Sequence, residues 1–159
     1  MSQTTYKINL VGCGNNGKTS FLEKFDGLRK PTNGDGELKT ISFETTNNDK
    51  IIFDVFTDNS FDKTSKFDGI ILMFNLNDKK SFEGAVKIYN DVKINKDNKV
   101  ILCGNKADLD KIISTKEINE VCEVPTIYVE MSVKTGKNIE MPFLHLARML
   151  ENNDEFYFF

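Results

Sequence analysis

A short glycine-rich stretch near the start of the chain limits the possible folds more than any other feature. Residues 12–20 read Gly-Cys-Gly-Asn-Asn-Gly-Lys-Thr-Ser, and Gly12, Gly17, Lys18 and Thr19 fit the pattern G-x-x-x-x-G-K-[ST]. Glycines allow the tight turn that lets main-chain N–H groups close around phosphate oxygens. The amides from Gly14, Asn15 and Asn16 through Ser20 are therefore expected to line an anion. The helix that follows turns its positive end to the same anion. Lys18 is a mobile ammonium able to reach outer phosphates, and the Thr19 hydroxyl can ligate Mg²⁺. Residues 6–11 alternate like a strand, and residues 19–25 begin a helical pattern with Phe21, Leu22 and Phe25. The loop thus sits between strand and helix, the setting such a loop requires. Cys13 lies inside it and has two readings. Its thiol pKa is lowered by helix dipole and ammonium, or it stands at a freely varying position.

The rest of the chain continues the alternation. Residues 26–37 read as loop. Stretches 38–46 and 51–56 flank an Asn-Asn-Asp turn and predict an antiparallel hairpin. Residues 57–68 are polar and irregular, and 69–74 form a continuous apolar run, as in a strand covered on both faces. Residues 81–94 repeat apolar side chains near period 3.6, and 100–103 read as another buried strand. Ser114 or Thr115 is placed to cap a short helix, 127–131 is the last strand and 141–150 a last amphipathic helix. This order predicts an α/β protein with a mostly parallel, doubly wound sheet. Ligands in such sheets bind beyond the carboxyl ends of the strands.

Composition narrows the class. At 159 residues a single domain is expected, with a core at about 6–151 and a short acidic-aromatic tail at 152–159. A net charge of −3 gives no reason to expect nucleic-acid binding. Cys13, Cys103 and Cys122 show no paired spacing, which favours a reducing, intracellular setting without disulfides. The single histidine, His145, falls in a helical pattern and reads as a boundary residue rather than a ligand. No apolar signal core, myristoylation glycine, prenylation cysteine or transmembrane-length run is visible. The expected location is cytoplasmic or nuclear, without a direct membrane anchor.

Two further motifs follow strands. Residues 104–108, Gly-Asn-Lys-Ala-Asp, fit N-K-x-D, and Ser132-Val133-Lys134 follows the last predicted strand. A carboxylate at Asp108 can accept from both N1 and N2 of guanine, donors that adenine lacks. A site built on such bonds rejects the wrong base because its polar groups would stay unpaired.

With these motifs the chain resembles the small GTPases of the Ras superfamily, most of all the Ran branch and next the Rab-like members. The resemblance runs over about residues 6–151 and is strongest in the two nucleotide motifs. It implies a three-layer P-loop NTPase fold with a six-stranded sheet and helices on both faces. It implies GTP and GDP as ligands, Mg²⁺ as cofactor, a monomer, and effectors of nuclear-transport or vesicle-trafficking type. By the family pattern Asn105 works at the N7/O6 edge of the base, and the Lys106 stem covers the ring. In the same pattern Val133 gives its N–H to O6, within a loop of Ser132, Val133 and Lys134 that resembles S-A-K.

The resemblance breaks in both switch regions. The family carries D-x-x-G-Q after its third strand, where Asp supports Mg²⁺ through water and Gln orients the attacking water. Here Thr57, Ser60 and Phe61 take the Asp, Gly and Gln positions, Asp58 comes one residue late, and Asp54 should lie within the strand. Phe61 cannot orient water, so slow or absent hydrolysis is expected. Thr32, after Pro31, matches the Mg²⁺-ligating threonine of the first switch but comes early; Thr40 is the alternative. Arg29, three residues before Thr32, has the spacing of the built-in catalytic arginine of Gα subunits, or is a plain surface arginine. Lys18, Thr32 and Arg29 are thus the catalytic candidates, and Thr19 and Thr32 the Mg²⁺ ligands. A guanine-nucleotide switch with impaired hydrolysis is the first reading, and a pseudo-GTPase binding module the second. A P-loop kinase fits poorly, since N-K-x-D would go unexplained. The terminal Phe-Tyr-Phe-Phe is open between packing back on the sheet, an interaction motif and self-association.

Overall fold

The computed structural model describes residues 2–12, 17–30, 36–62 and 64–159. In chain order the elements are β1 (Gln3–Val11), α1 (Lys18–Glu23), β2 (Leu28–Lys30), β3 (Leu38–Glu44), β4 (Lys50–Asp58), β5 (Gly69–Asn75), α2 (Lys79–Val92), β6 (Val100–Asn105), α3 (Thr115–Val121), β7 (Ile127–Glu130) and α4 (Met141–Glu151). They build one seven-stranded sheet of order β2-β3-β4-β1-β5-β6-β7. β1 runs parallel to β4 and β5, and β6 parallel to β5 and β7; only the β2-β3 and β3-β4 pairs are antiparallel. The expected mostly parallel α/β sheet is therefore present, with one strand more than six.

The extra strand is β2, inside the stretch read as loop. Its three residues are all exposed and it pairs with β3 through main-chain bonds. A strand that buries no side chain leaves no apolar alternation to read. The hairpin of β3 and β4 has the expected sense, with Ile41 opposite Phe53 and Phe43 opposite Ile51. β5 and β6 are buried along their whole length, as continuous apolar runs in a doubly covered sheet should be.

Local chemistry sets the helix ends. α2 starts earlier than its apolar period because the Asp78 side chain accepts from the Lys80 and Ser81 N–H groups. α3 opens with a capping box, Ser114 to Glu117, of the two residues offered as caps. α1 ends against Lys39, whose Nζ donates to the carbonyls of Leu22 and Phe25. That lysine sits on the buried face of β3, where its charge is answered by the last carbonyls of a helix.

The two faces of the sheet carry separate cores. One holds α1 and α4 and is rich in rings: Phe143 stacks on Phe21 at 5.6 Å and meets Phe25 edge-on at 5.1 Å. The other holds α2 and α3 over β5, β6 and the end of β1. The link from β4 to β5 carries no helix among its described residues. The far side of β4 therefore remains partly open. There Lys7 lies over the rings of Phe56 and Phe67 at 5.1 and 5.2 Å.

The aromatic tail packs back on the sheet, one of the three outcomes left open. Phe156 is buried in the ring-rich core and Phe158 stacks on Phe43 at 4.2 Å. The Thr46 N–H donates to the Tyr157 carbonyl at 2.8 Å, and the Phe159 N–H to the Glu44 carbonyl at 2.9 Å. Arg148 secures the turn by donating Nε and Nη2 to the Phe156 carbonyl at 3.0 and 2.9 Å. The tail thus continues, beside Glu44–Thr46, the cover that β2 gives the outer edge of β3. Among the described residues no helix is long and apolar enough to cross a membrane.

Candidate functional site

The parallel strands β1, β4, β6 and β7 all end at one rim of the sheet, and the motifs follow those ends. Gly12 leaves β1 with its N–H donated to the Asp58 carbonyl at 3.3 Å, so the glycine-rich loop starts beside the end of β4. Cys13, Gly14, Asn15, Asn16 and Thr32 lie outside the described residues. Gly17 closes the loop in the left-handed region, at φ 91°, and its carbonyl accepts the first helical bond from Phe21 at 2.8 Å. A side chain there would be strained, and a Cβ would lie 2.8 Å from Asn105 Nδ2. Thr19 and Ser20 are exposed in the first turn of α1.

Lys18 is only 8% exposed, although it is a lysine at the mouth of a loop. Its Nζ donates to the Gly12 carbonyl at 2.5 Å and to Asn59 Oδ1 at 3.0 Å. The ammonium is thus held by polar oxygens beside the rim, the arrangement a buried charge requires.

The second half of the site is assembled from β6 and β7. Asn105, the last residue of β6, is 3% exposed, and its Oδ1 accepts the Val133 N–H at 3.1 Å. Its carboxamide therefore joins the end of the glycine-rich loop to the segment after β7. Lys106 turns the chain in the left-handed region at φ 63°, and the Ala107 N–H donates to the Met131 carbonyl at 3.0 Å. Ser132, almost fully buried, donates Oγ to Asp108 Oδ1 at 2.7 Å and accepts the Thr135 N–H at 3.1 Å. That hydroxyl holds the Asp108 carboxyl below the ordinary carboxylate value, against some desolvation and with help from Lys134 and Lys106. Asp108 and Lys134 face solvent. The structure thus brings Asn105, Lys106, Asp108, Ser132 and Val133 together. The Val133 N–H already has a partner within the protein and must exchange it to serve a base.

The segment after β4 is held by bonds to its neighbours. Thr57 occupies the position expected of an aspartate, but its hydroxyl accepts the Glu37 N–H at 2.7 Å while its own N–H donates to the Glu37 carbonyl at 2.8 Å. A Cβ at Gly36 would run into the Thr57 carbonyl, so only glycine lets the two segments approach this closely. Asp58 accepts from the N–H groups of Asn59 and Ser60 at 2.8 and 3.3 Å, a local turn. Asp54 lies within β4, as expected, and accepts from the Thr40 hydroxyl at 2.6 Å, so the alternative ligand Thr40 is engaged across the hairpin. Phe61 is half-buried against the α2/α3 core.

Arg29 sits in β2 and donates Nη1 to Glu37 at 3.1 Å and Nη2 to Glu23 at 3.4 Å. Glu23 ends α1 and Glu37 lies just before β3, so Arg29 ties the end of that helix to the start of that strand. Among the described residues no cluster of His, Cys, Asp and Glu forms a metal cage. The Thr19 hydroxyl fits a magnesium ion that takes its other ligands from phosphate and water. His145 is half-buried in α4, a boundary residue, and burial lowers its pKa from 6.5 with Arg148 adding to the effect. Asn59, the partner of Lys18, was not picked out from the sequence. The one available signal was its place just beyond a strand's carboxyl end.

A model of the Ras family matches residues 7–152, which takes in both nucleotide motifs and every strand but the first residues of β1.

Proposed function

The chain belongs to the Ras family of small GTPases, and from that footing we propose that it is a Ran-like guanine-nucleotide-binding protein whose GTP hydrolysis is slow or absent. The observation that carries this reading is Phe61, half-buried against the α2/α3 core where a water-orienting glutamine is required. In this reading Gly12, Gly14, Asn15, Asn16, Gly17, Lys18 and Ser20 surround the phosphates. Asp108, steadied by Ser132, takes the guanine N1 and N2 donors. Asn105, Lys106, Val133 and Lys134 complete the base pocket. Mg²⁺ would be held by Thr19, with Thr32 as second ligand, and would supply charge neutralisation at the outer phosphates. Thr57 carries no carboxylate to support it, and Asp58 spends Oδ1 on a local turn.

A pseudo-GTPase binding module is the second reading, and the Thr57–Glu37 pairing favours it. That pairing joins the segments before β3 and after β4 directly, through the N–H and carbonyl of Glu37. A ligand that binds two states equally cannot shift them. Effectors of nuclear-transport or vesicle-trafficking type, a monomeric state and a cytoplasmic or nuclear location belong to the same proposal.

Mass spectrometry of nucleotide carried through native purification tests the ligand; GDP or GTP is expected. Single-turnover hydrolysis tests the chemistry. A rate equal to that of an ordinary small GTPase refutes the impaired-hydrolysis reading, and equal affinity for adenine and guanine nucleotides refutes the family-based ligand. Similar Kd values for GTP and GDP, with and without Mg²⁺, would select the binding module over the switch.

A further inference from the structure

Lys18 is gripped by a residue at a variable position of the segment after β4. Asn59 Oδ1 lies 3.0 Å from its Nζ. An ammonium has donors only, so the oxygen of the carboxamide must be the atom facing it. This fixes the orientation of the amide, which places Nδ2 on the other side with two N–H donors. Among the described residues Nδ2 has no hydrogen-bond partner. Asn59 is exposed at the strand-end rim, next to the ammonium that reaches outer phosphates.

The backbone that carries this side chain is also held in place. The Asp58 carboxylate accepts the Asn59 and Ser60 N–H groups at 2.8 and 3.3 Å. Upstream, Asp58 is tied to Gly12 through its carbonyl, and downstream Phe61 is anchored in the α2/α3 core. A donor pair on a fixed segment beside Lys18 is a pre-organised binder for one more anionic oxygen.

We propose that Asn59 is a phosphate-binding residue of this chain: its oxygen positions Lys18 while its Nδ2 donates to the terminal phosphate of a nucleoside triphosphate. This rests on the guanine-nucleotide reading above and adds to it the residue that distinguishes triphosphate from diphosphate. The site keeps a way of sensing the third phosphate although Ser60 and Phe61 stand where glycine and glutamine are expected.

The test is equilibrium titration, in Mg²⁺, of wild type, Asn59→Ala and Asn59→Asp with fluorescent GDP and a fluorescent non-hydrolysable GTP analogue. Adenine counterparts are titrated against the wild type. Asn59→Ala is expected to weaken triphosphate binding about tenfold, the loss of one charge-assisted hydrogen bond, with GDP within about threefold of wild type. Asn59→Asp should weaken the triphosphate further, because a carboxylate then faces the same phosphate, while its GDP binding reports that the site is intact. Equal losses for both nucleotides, no loss for either, or an Asn59→Asp protein that binds triphosphate as wild type overturn the proposal. A wild type that does not prefer guanine overturns the underlying reading, and that result comes from the wild-type titrations alone.

Discussion

Replacing Asn105 by alanine tests whether the site is built before any nucleotide arrives. The carboxamide is 3% exposed and accepts the N–H of Val133, itself buried, at 3.1 Å. Truncation removes that acceptor and leaves an N–H without a partner in a place water does not reach. Such an orphan costs about 1–3 kcal/mol. The void beside Gly17 adds to this, since a Cβ on that glycine would lie 2.8 Å from the missing Nδ2. A destabilisation of about 2 kcal/mol follows. With a urea slope of about 2 kcal/mol/M, the midpoint should fall by roughly 1 M. The assay is urea unfolding of nucleotide-free protein, with amide exchange at Val133 read alongside. Val133 should exchange faster in the variant. If Asn105 served the base alone, the nucleotide-free protein would keep its midpoint. A midpoint within about 0.2 M of wild type and unchanged Val133 exchange would refute the reasoning.

Three further expectations concern other parts of the molecule. Phe61→Gln should not restore ordinary hydrolysis in a single-turnover assay, because Ser60 and Thr57 remain, and losing its half-buried ring should lower stability by about 1 kcal/mol in a denaturant melt. Arg148→Met removes both donors to the Phe156 carbonyl, so amide exchange at Thr46 and Phe159 should quicken and stability fall by about 1–2 kcal/mol. His145 has its pKa lowered by burial, so the unfolded chain takes up a proton first as pH falls below 6.5. Stability should be full above that pH and decline towards the folded-state value, and His145→Gln should flatten this decline in urea melts at pH 7.5 and 5.5.

Much of this protein is written in short-range pattern. The glycine spacing at 12–19, the apolar runs of β5 and β6, and the period of α2 are each set by a few neighbouring residues. Local sterics and burial periodicity suffice to place such elements, and the motifs N-K-x-D and Ser132-Val133-Lys134 could be assigned to strand ends for the same reason.

Other features depend on which groups meet across the fold, and no local pattern records that. β2 and the tail are held along the β3 edge largely by main-chain bonds, which are the same for almost any side chain. The hydroxyl of Thr57 pairs with a residue twenty positions earlier, Lys18 finds Asn59 forty-one positions later, and Asn105 reaches the segment after β7. In each case a wholly or partly buried polar group had to find a partner, and folding chose it from whatever the sheet brought to the same rim. The residue types announced a phosphate and a purine; their arrangement around Lys18 and Asp108 came only with the packed sheet.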